Sequence, residues 1–238
     1  MNVFDKAFKR SRNENFRRRT FANGLEGLEK YPYLIYYQTA VKDYQNRNLT
    51  SALNNIDATI QKADIDDWKH YAFKANILED LQKYSEAIKN YEKAIEISQT
   101  DINVYALYHQ IGFCYISQNQ NEKAIEFYSY AIELKKNHPN SQFNPDEEGM
   151  DMGVLLGVTL KKMYVNRSVS LTNIGKLNEA LQDCVESINI DKNYSNPYLQ
   201  LGFIYFKAGQ EDEAVKYISQ AGSLGNQKAM QMLKQLGY

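Results

Sequence analysis

The chain of 238 residues has only 4 prolines and 2 cysteines, and its longest apolar stretches are a few residues long. The two cysteines, Cys114 and Cys184, cannot form a disulfide framework and do not have the spacing of zinc ligands, which favours a reducing compartment. A membrane-spanning helix needs about 20 apolar residues, so none is predicted. Glycine and proline are too rare for a collagen-like chain, and a 43% share of hydrophobic residues argues against a disordered one.

An excess of charge of one sign is also lacking, since the formal net charge is −1. This balance gives no general attraction to nucleic acid or acidic lipid. The first ten residues include basic side chains with no apolar segment behind them, so we expect no signal peptide and a cytoplasmic location. What remains is an ordinary globular chain, except that 19 tyrosines need an explanation.

The spacing of prolines and apolar residues predicts an all-α chain. The four prolines leave residues 33–138 and 146–196 free of the residue that helix interiors exclude. Apolar residues recur there at three- and four-residue steps, as in residues 87–95 and 124–132. This is helical periodicity, and no strand-like alternation of comparable length is present.

One apolar pattern returns along the chain at intervals of 35, 37, 56 and 34 residues. It is anchored by alanines, namely Ala52, Ala87, Ala124, Ala180 and Ala214. Twelve residues before each alanine is a small residue, in order Ala40, Ala75, Gly112, Ser168 and Gly202. Sixteen residues before each is a tyrosine, in order Tyr36, Tyr71, Tyr108, Tyr164 and Tyr198. The tyrosine count is therefore in part a consequence of an internal repeat.

A helical hairpin accounts for this register. Small residues at two fixed points let two helices of one unit approach closely, and polar clusters such as residues 45–48 and 118–121 supply the turn between them. Because one hairpin cannot bury its apolar face alone, we expect neighbouring hairpins to stack.

With these features the chain resembles the tetratricopeptide-repeat family. The third repeat carries the motif most fully, in Tyr108, Ile111, Gly112, Tyr115, Ala124, Tyr128 and Ala131. The resemblance implies an all-α, right-handed solenoid of five hairpins at residues 33–66, 68–101, 105–138, 161–194 and 195–225. Residues 226–238, with apolar side chains on one face, are expected to form a capping helix.

A segment of about 24 residues, 137–160, is inserted between the third and fourth repeats. Asn144 and Pro145 resemble a helix start, so the first helix of repeat 4 is expected to extend backwards by several turns. Glycines four residues apart, Gly149, Gly153 and Gly157, favour close packing against a neighbouring helix, with a partner-binding protrusion as the alternative.

The N-terminal segment, residues 1–32, is basic. Its first 30 residues contain eight Lys or Arg against four Asp or Glu, a net charge of +4. Three interpretations stay open: a solvated arm, a helix packed on repeat 1 or lying in the groove of the chain, and a contact with nucleic acid or an anionic membrane through Lys6–Arg19. Only charge supports the third.

No arrangement of residues typical of catalysis or of a cofactor site is found. His70, His109 and His138 fall in three different contexts, and phosphate-binding glycine loops are absent from the sequence. Cys184 takes a core position of its repeat and is expected to be an inert buried thiol. We therefore predict a protein that is not an enzyme and needs no cofactor or metal.

The resemblance also implies a concave surface lined by the first helix of each hairpin. The positions carried over from the family give a candidate partner-binding groove of Tyr37, Val41, Tyr44, Asn76, His109, Phe113, Ile116, Val165, Asn166, Val169, Leu199, Phe203 and Phe206. The family's clamp for chaperone C-terminal carboxylates would fall on His109, Phe113, Asn166, Asn196 and Gln200. Only Asn166 matches, so a carboxylate would meet no fixed positive charge and the clamp is not expected.

Two functions from different classes follow as hypotheses. The first is a non-enzymatic protein-interaction scaffold that holds a peptide or helix by apolar anchors in the groove. The second is an adaptor for nucleic acid or an anionic membrane that acts through the basic N-terminal arm. A third possibility is that residues 1–30 occupy the groove as a self-inhibitor.

Overall fold

The computed structural model describes residues 32–98, 104–137 and 158–237, and this part of the chain contains eleven α-helices and no strand. The helices are α1 Pro32–Gln45, α2 Leu49–Lys62, α3 Trp68–Asp80, α4 Tyr84–Ser98, α5 Tyr105–Ser117, α6 Asn121–Asn137, α7 Leu160–Asn173, α8 Leu177–Ile190, α9 Ser195–Lys207, α10 Glu211–Ser223 and α11 Gln227–Leu236. The all-α prediction is confirmed. The basic segment, residues 1–31, and residues 138–157 of the insert lie outside the described residues.

The first ten helices form five hairpins, each with an A helix (α1, α3, α5, α7, α9) and the B helix that follows it. Every A helix packs against its own B helix, and from α3 onward also against the B helix of the preceding hairpin. The A helices α5, α7 and α9 contact one another in sequence. Helices on the inner, more tightly curved side of a solenoid are expected to do so, and the A helices therefore line the concave side.

Small residues set the distance between the two helices of a hairpin. All five anchoring alanines have no exposed surface. A methyl group added at Gly112 would lie 2.8 Å from Cε1 of Tyr128, and one added at Gly202 would lie 2.4 Å from Cγ1 of Ile218. Carbon atoms do not approach that closely, so these two hairpins require glycine where the register predicts a small residue.

The turns between A and B helices share one backbone conformation. In all five hairpins the second turn residue has a positive φ, at Arg47, Gln82, Asn119, Gly175 and Gly209. This left-handed residue ends the A helix and lets the next N–H bond back to the helix, as the N–H of Lys83 does to the carbonyl of Leu78 at 2.8 Å. Glycine occupies this position without steric cost, whereas arginine, glutamine and asparagine do not.

The junction between repeats 3 and 4 is continuous in the stack, because α6 packs directly against α7. However, α7 begins at Leu160, since Thr159 has an extended backbone with φ −129° and ψ 155°. The expectation that this helix extends backwards into the insert is therefore wrong, because the helix does not extend beyond Leu160. Val158 and Met163 belong to the same buried cluster, and a hydrophobic pair at these two positions of a helix start fixes the angle at which the chain enters the helix.

The C-terminal helix α11 covers the end of the stack. Asn226 caps it by accepting a hydrogen bond from the N–H of Ala229 at 3.1 Å, and Gly237 ends it with φ 88°. Ala229 is fully buried against the last hairpin, while Met230 and Leu236 are exposed. Among the described helices, none combines the length and the apolar character that crossing a membrane requires.

Candidate partner-binding surface

The accessible apolar side chains predicted for the groove lie on α5, α7 and α9. Phe113 is 38% exposed, an unusual environment for a phenylalanine on an inner helix. Ile116, Val169, Phe203 and Phe206 are half-buried. These five side chains, called the apolar strip below, form the part of the predicted groove that can offer apolar surface to a partner.

Five predicted groove residues are more than nine-tenths buried, and their assignment as contact residues needs correction. They are Val41, Asn76, His109, Val165 and Leu199. Each A helix contacts its own B helix, the A helices from α3 onward also contact the preceding B helix, and α5, α7 and α9 contact one another in sequence. Contacts between helices therefore bury these five groove residues, which form the floor of the concave surface.

The tyrosines at the other end of the predicted groove also serve contacts between repeats. The Tyr37 ring centroid lies 5.1 Å from that of His70 and 5.9 Å from that of Phe73 on α3. The Tyr44 ring meets the same Phe73 edge-on at 5.4 Å. Tyr37 and Tyr44 are half-buried, so their main contacts hold repeat 1 on repeat 2, and little of them extends the apolar strip.

A chain of polar side chains runs beneath the surface across repeats 2, 3 and 4. The amide of Asn166 donates to Nε2 of His109 at 2.9 Å, which leaves Nδ1–H of His109 to donate to Oε1 of Gln110 at 2.9 Å. The amide of Gln110 donates to Oε2 of Glu79 at 3.2 Å. The Tyr91 hydroxyl lies 2.9 Å from the same carboxyl oxygen. Three consecutive A helices are thus joined by side-chain hydrogen bonds.

Burial shifts both titratable ends of this polar chain toward the uncharged form. Loss of solvation raises the pKa of Glu79 to about 7. Hydrogen bonds from Tyr91, Cys114 and Gln110 lower this pKa, but their effect is smaller. Loss of solvation lowers the pKa of His109 to about 4. In each case the charged form loses more hydration than its neighbours restore.

Four of the five clamp positions make side-chain hydrogen bonds within the protein. Asn166, the single match, donates to His109. Gln200 is buried and donates to the Thr172 hydroxyl at 3.0 Å, and Asn196 accepts from the capping residue Asn226 at 3.0 Å. The absence of a carboxylate clamp at these repeats stays a prediction.

Sequence reasoning missed a buried ion pair at the junction of repeats 3 and 4. Arg167 on α7 donates to both carboxylate oxygens of Asp183 on α8, at 2.8 and 2.7 Å, and to the Ser129 hydroxyl on α6 at 2.9 Å. The Asp183 side chain is 3% exposed and that of Arg167 is 23% exposed. The sequence could have predicted this ion pair, because Arg167 and Asp183 have opposite charges and their spacing of 16 residues places them at facing positions of one hairpin.

The cysteines and histidines of the described residues are used structurally. Cys184 is fully buried, and its thiol donates to the Ser168 hydroxyl at 3.6 Å, while burial raises the pKa of the thiol to about 12. A thiol in this environment is a poor nucleophile, as expected for this position. Within residues 32–98, 104–137 and 158–237, no group of three His, Cys, Asp or Glu side chains is placed to hold a metal ion.

Family models for the tetratricopeptide repeat match residues 69–137 and 195–224. These residues comprise repeats 2 and 3 and the last hairpin of the stack. The chain is a tetratricopeptide-repeat protein. The resemblance to this family seen in the sequence is thereby confirmed.

Solved structures of other tetratricopeptide-repeat proteins share the fold. A crystal structure of MamA has a TM-score of 0.61 at 18% identity and covers 83% of this chain and 94% of its own. The structure of YrrB, described as a TPR protein with an unusual peptide-binding site, has a TM-score of 0.60 at 18% identity, with 88% and 96% covered. At this level of identity the likeness concerns the solenoid alone.

Among curated proteins, human DnaJ homolog subfamily C member 7 is 24% identical to this chain over 209 residues, which are 76% of this chain and 42% of the human protein. The Arabidopsis thaliana protein called inactive TPR repeat-containing thioredoxin TTL3 is 32% identical over 86 residues, 36% of this chain and 12% of its own length. The chain spans less than half the length of these relatives.

Proposed function

We propose that this tetratricopeptide-repeat protein is a non-enzymatic interaction scaffold that binds a peptide or an amphipathic helix on the apolar strip of repeats 3 to 5. The observation that carries the proposal is the exposure of Phe113 on an inner helix, with Ile116 and Val169 half-buried on the same and the next A helix. A large aromatic side chain kept in solvent on a concave surface is a typical anchor site. YrrB, with its peptide-binding site, supports this choice among functions.

The form of the strip favours an elongated ligand. Its side chains come from three successive A helices, so a partner must reach across at least two repeats. Burial of about 400 Å² of apolar surface would contribute about 10 kcal/mol, while association costs about 4–15 kcal/mol. A modest affinity carried by a few anchors is therefore expected.

The decisive experiment compares two exposed aromatic residues on opposite sides of the solenoid. Peptides are selected from a displayed random library against the full chain, and their affinities are measured for the unchanged chain, for Phe113→Ala and for Tyr130→Ala. Tyr130 is 51% exposed and lies on the B helix α6, so it is a matched control. Phe113→Ala should weaken binding about thirtyfold, from the loss of about 2 kcal/mol of anchor burial.

The Tyr130→Ala chain should bind selected peptides within twofold of the unchanged chain. Equal effects of the two substitutions, or none from Phe113→Ala, would show that the inner surface is not the binding site. Far-ultraviolet circular dichroism of each variant serves as the folding control.

A further inference from the structure

The polar chain beneath the strip links repeats whose sequence positions are far apart. Its bond from Asn166 to His109 crosses from α7 to α5, over 57 residues of sequence, and its bond from Gln110 to Glu79 crosses from α5 to α3. Together these two bonds connect the A helices of repeats 2, 3 and 4. The Glu79–Gln110–His109–Asn166 chain is called the interlock below.

The number of protons in the interlock is constrained by its geometry. The Tyr91 hydroxyl lies 2.5 Å from Oδ1 of Asn76 and 2.9 Å from Oε2 of Glu79, and one hydroxyl proton cannot serve both acceptors. A proton on Glu79 resolves this conflict, because the carboxyl group can then donate to the Tyr91 oxygen while Tyr91 donates to Asn76. The amide of Asn166 facing Nε2 of His109 likewise requires that nitrogen to be an acceptor, so the imidazole is neutral.

The titratable and charged groups on the helices packed around the interlock do not stabilise the charged form of Glu79 or of His109. Around Glu79 they are Tyr44 on α1, Asp80 on α3, Tyr91 on α4, Cys114 on α5 and Tyr128 on α6. Around His109 they are the Tyr128 ring, at 5.3 Å, and Lys162 on α7, whose positive charge also disfavours an imidazolium. Burial raises the pKa of Tyr44, Tyr91, Tyr128 and Cys114 far above neutrality, so these four stay uncharged.

We propose that Glu79 and His109 are a compensated proton pair: a protonated carboxyl group and a neutral imidazole keep the interlock uncharged in the folded chain, and ionisation of Glu79 weakens it. The proposal concerns the coupling of repeats 2 to 4 and does not depend on the proposed ligand. The pair makes the hydrogen bonding in the floor of the concave surface, where Asn76 and His109 lie, sensitive to pH.

The two groups have opposite effects on stability. The pKa of Glu79 is raised from 4.5 to about 7 on folding, so its contribution is complete below pH 4.5 and is lost as the pH rises toward 7. The pKa of His109 is lowered from 6.5 to about 4, so its contribution is lost as the pH falls from 6.5 toward 4. Between about pH 4.5 and 6.5 the folded and unfolded chains hold the same number of protons on this pair, and the two effects cancel.

The test is a double-mutant cycle followed across pH. Urea unfolding of the full chain is measured from pH 4.5 to 8 for the unchanged chain, for Glu79→Gln, for His109→Gln and for the double variant, which supplies the background from all other groups. Relative to the double variant, the folding equilibrium constant of Glu79→Gln should rise with pH by up to about tenfold per unit between pH 4.5 and 6.5. The folding equilibrium constant of His109→Gln should fall by up to about tenfold per pH unit between pH 5 and 7. The constant of the unchanged chain should change by no more than about threefold up to pH 6.5.

Parallel pH curves for all four chains would overturn the proposal. Nuclear magnetic resonance titration of the unchanged chain gives a second measurement that does not require the variants to fold. The imidazole of His109 should titrate near pH 4 and the carboxyl carbon of Glu79 near pH 7. Values near 6.5 and 4.5 would equally overturn the proposal.

Discussion

Replacing Arg167 by leucine should be among the most destabilising single changes of a charged residue in this solenoid. The substitution leaves the Asp183 carboxylate, 3% exposed, without the two hydrogen bonds of 2.8 and 2.7 Å that it now accepts. Removing one partner of a buried ion pair costs about 3–5 kcal/mol. The hydrogen bond to Ser129 is lost as well, and with it the side-chain link from α7 to α6.

The penalty should depend on pH in a predictable direction. Even beside Arg167, loss of solvation leaves the pKa of Asp183 above its ordinary value of 3.8. Without the guanidinium this pKa must rise further. A group with a raised pKa in the folded state destabilises more as the pH rises, so the deficit of Arg167→Leu should be larger at pH 7 than at pH 4.5.

A second substitution tests whether the unpaired charge is the cause. Asp183→Asn removes the carboxylate and places at position 183 the residue that repeats 1 and 2 have at the equivalent positions, Asn55 and Asn90. Since replacing a buried ion pair by uncharged residues is often nearly neutral, the double variant should recover most of the stability lost by Arg167→Leu.

Urea unfolding followed by circular dichroism at pH 7 and pH 4.5 provides the measurement. The exposed pair Lys176–Glu179 is the control, because its side chains are 54% and 59% exposed and Lys176→Leu should cost less than about 1 kcal/mol. The reasoning fails if Arg167→Leu costs no more than this control, or if the double variant is as unstable as the single one.

Two further predictions concern the backbone of the hairpins, and the same unfolding measurement checks both. Gly202→Ala should destabilise the chain by about 1–3 kcal/mol, since its methyl group would lie 2.4 Å from Cγ1 of Ile218; a gain in stability, as expected from helix propensity alone, would contradict the close approach. Gln82→Gly should stabilise the chain by about 0.5–1 kcal/mol, because Gln82 has φ 60° and Gly209 occupies the equivalent position of repeat 5; a loss of stability would mean that the side chain of Gln82 makes a favourable contact.

The sequence register predicted the helical hairpins because the contact it encodes is local. Ala124 and Gly112 are 12 residues apart, on the two helices of one hairpin, and small side chains there have one physical explanation. The same register could have paired Arg167 with Asp183, since opposite charges at facing positions of one hairpin are as local as the small residues. It could not predict that α7 begins only after Thr159, because a single extended residue gives no periodic signal.

The sequence by itself determined the all-α class, the repeat, the family and the capping helix, since each depends on contacts within a hairpin or between one hairpin and the next. Only the tertiary structure decided which groove positions are open, because the concave side is where three successive A helices compete for the same space. That competition buried Val165, Leu199 and His109 and left Phe113 exposed. It also brought Glu79, Gln110, His109 and Asn166 into one hydrogen-bonded chain. Their alignment depends on how each hairpin rotates against the next, and no spacing along the sequence specifies that rotation.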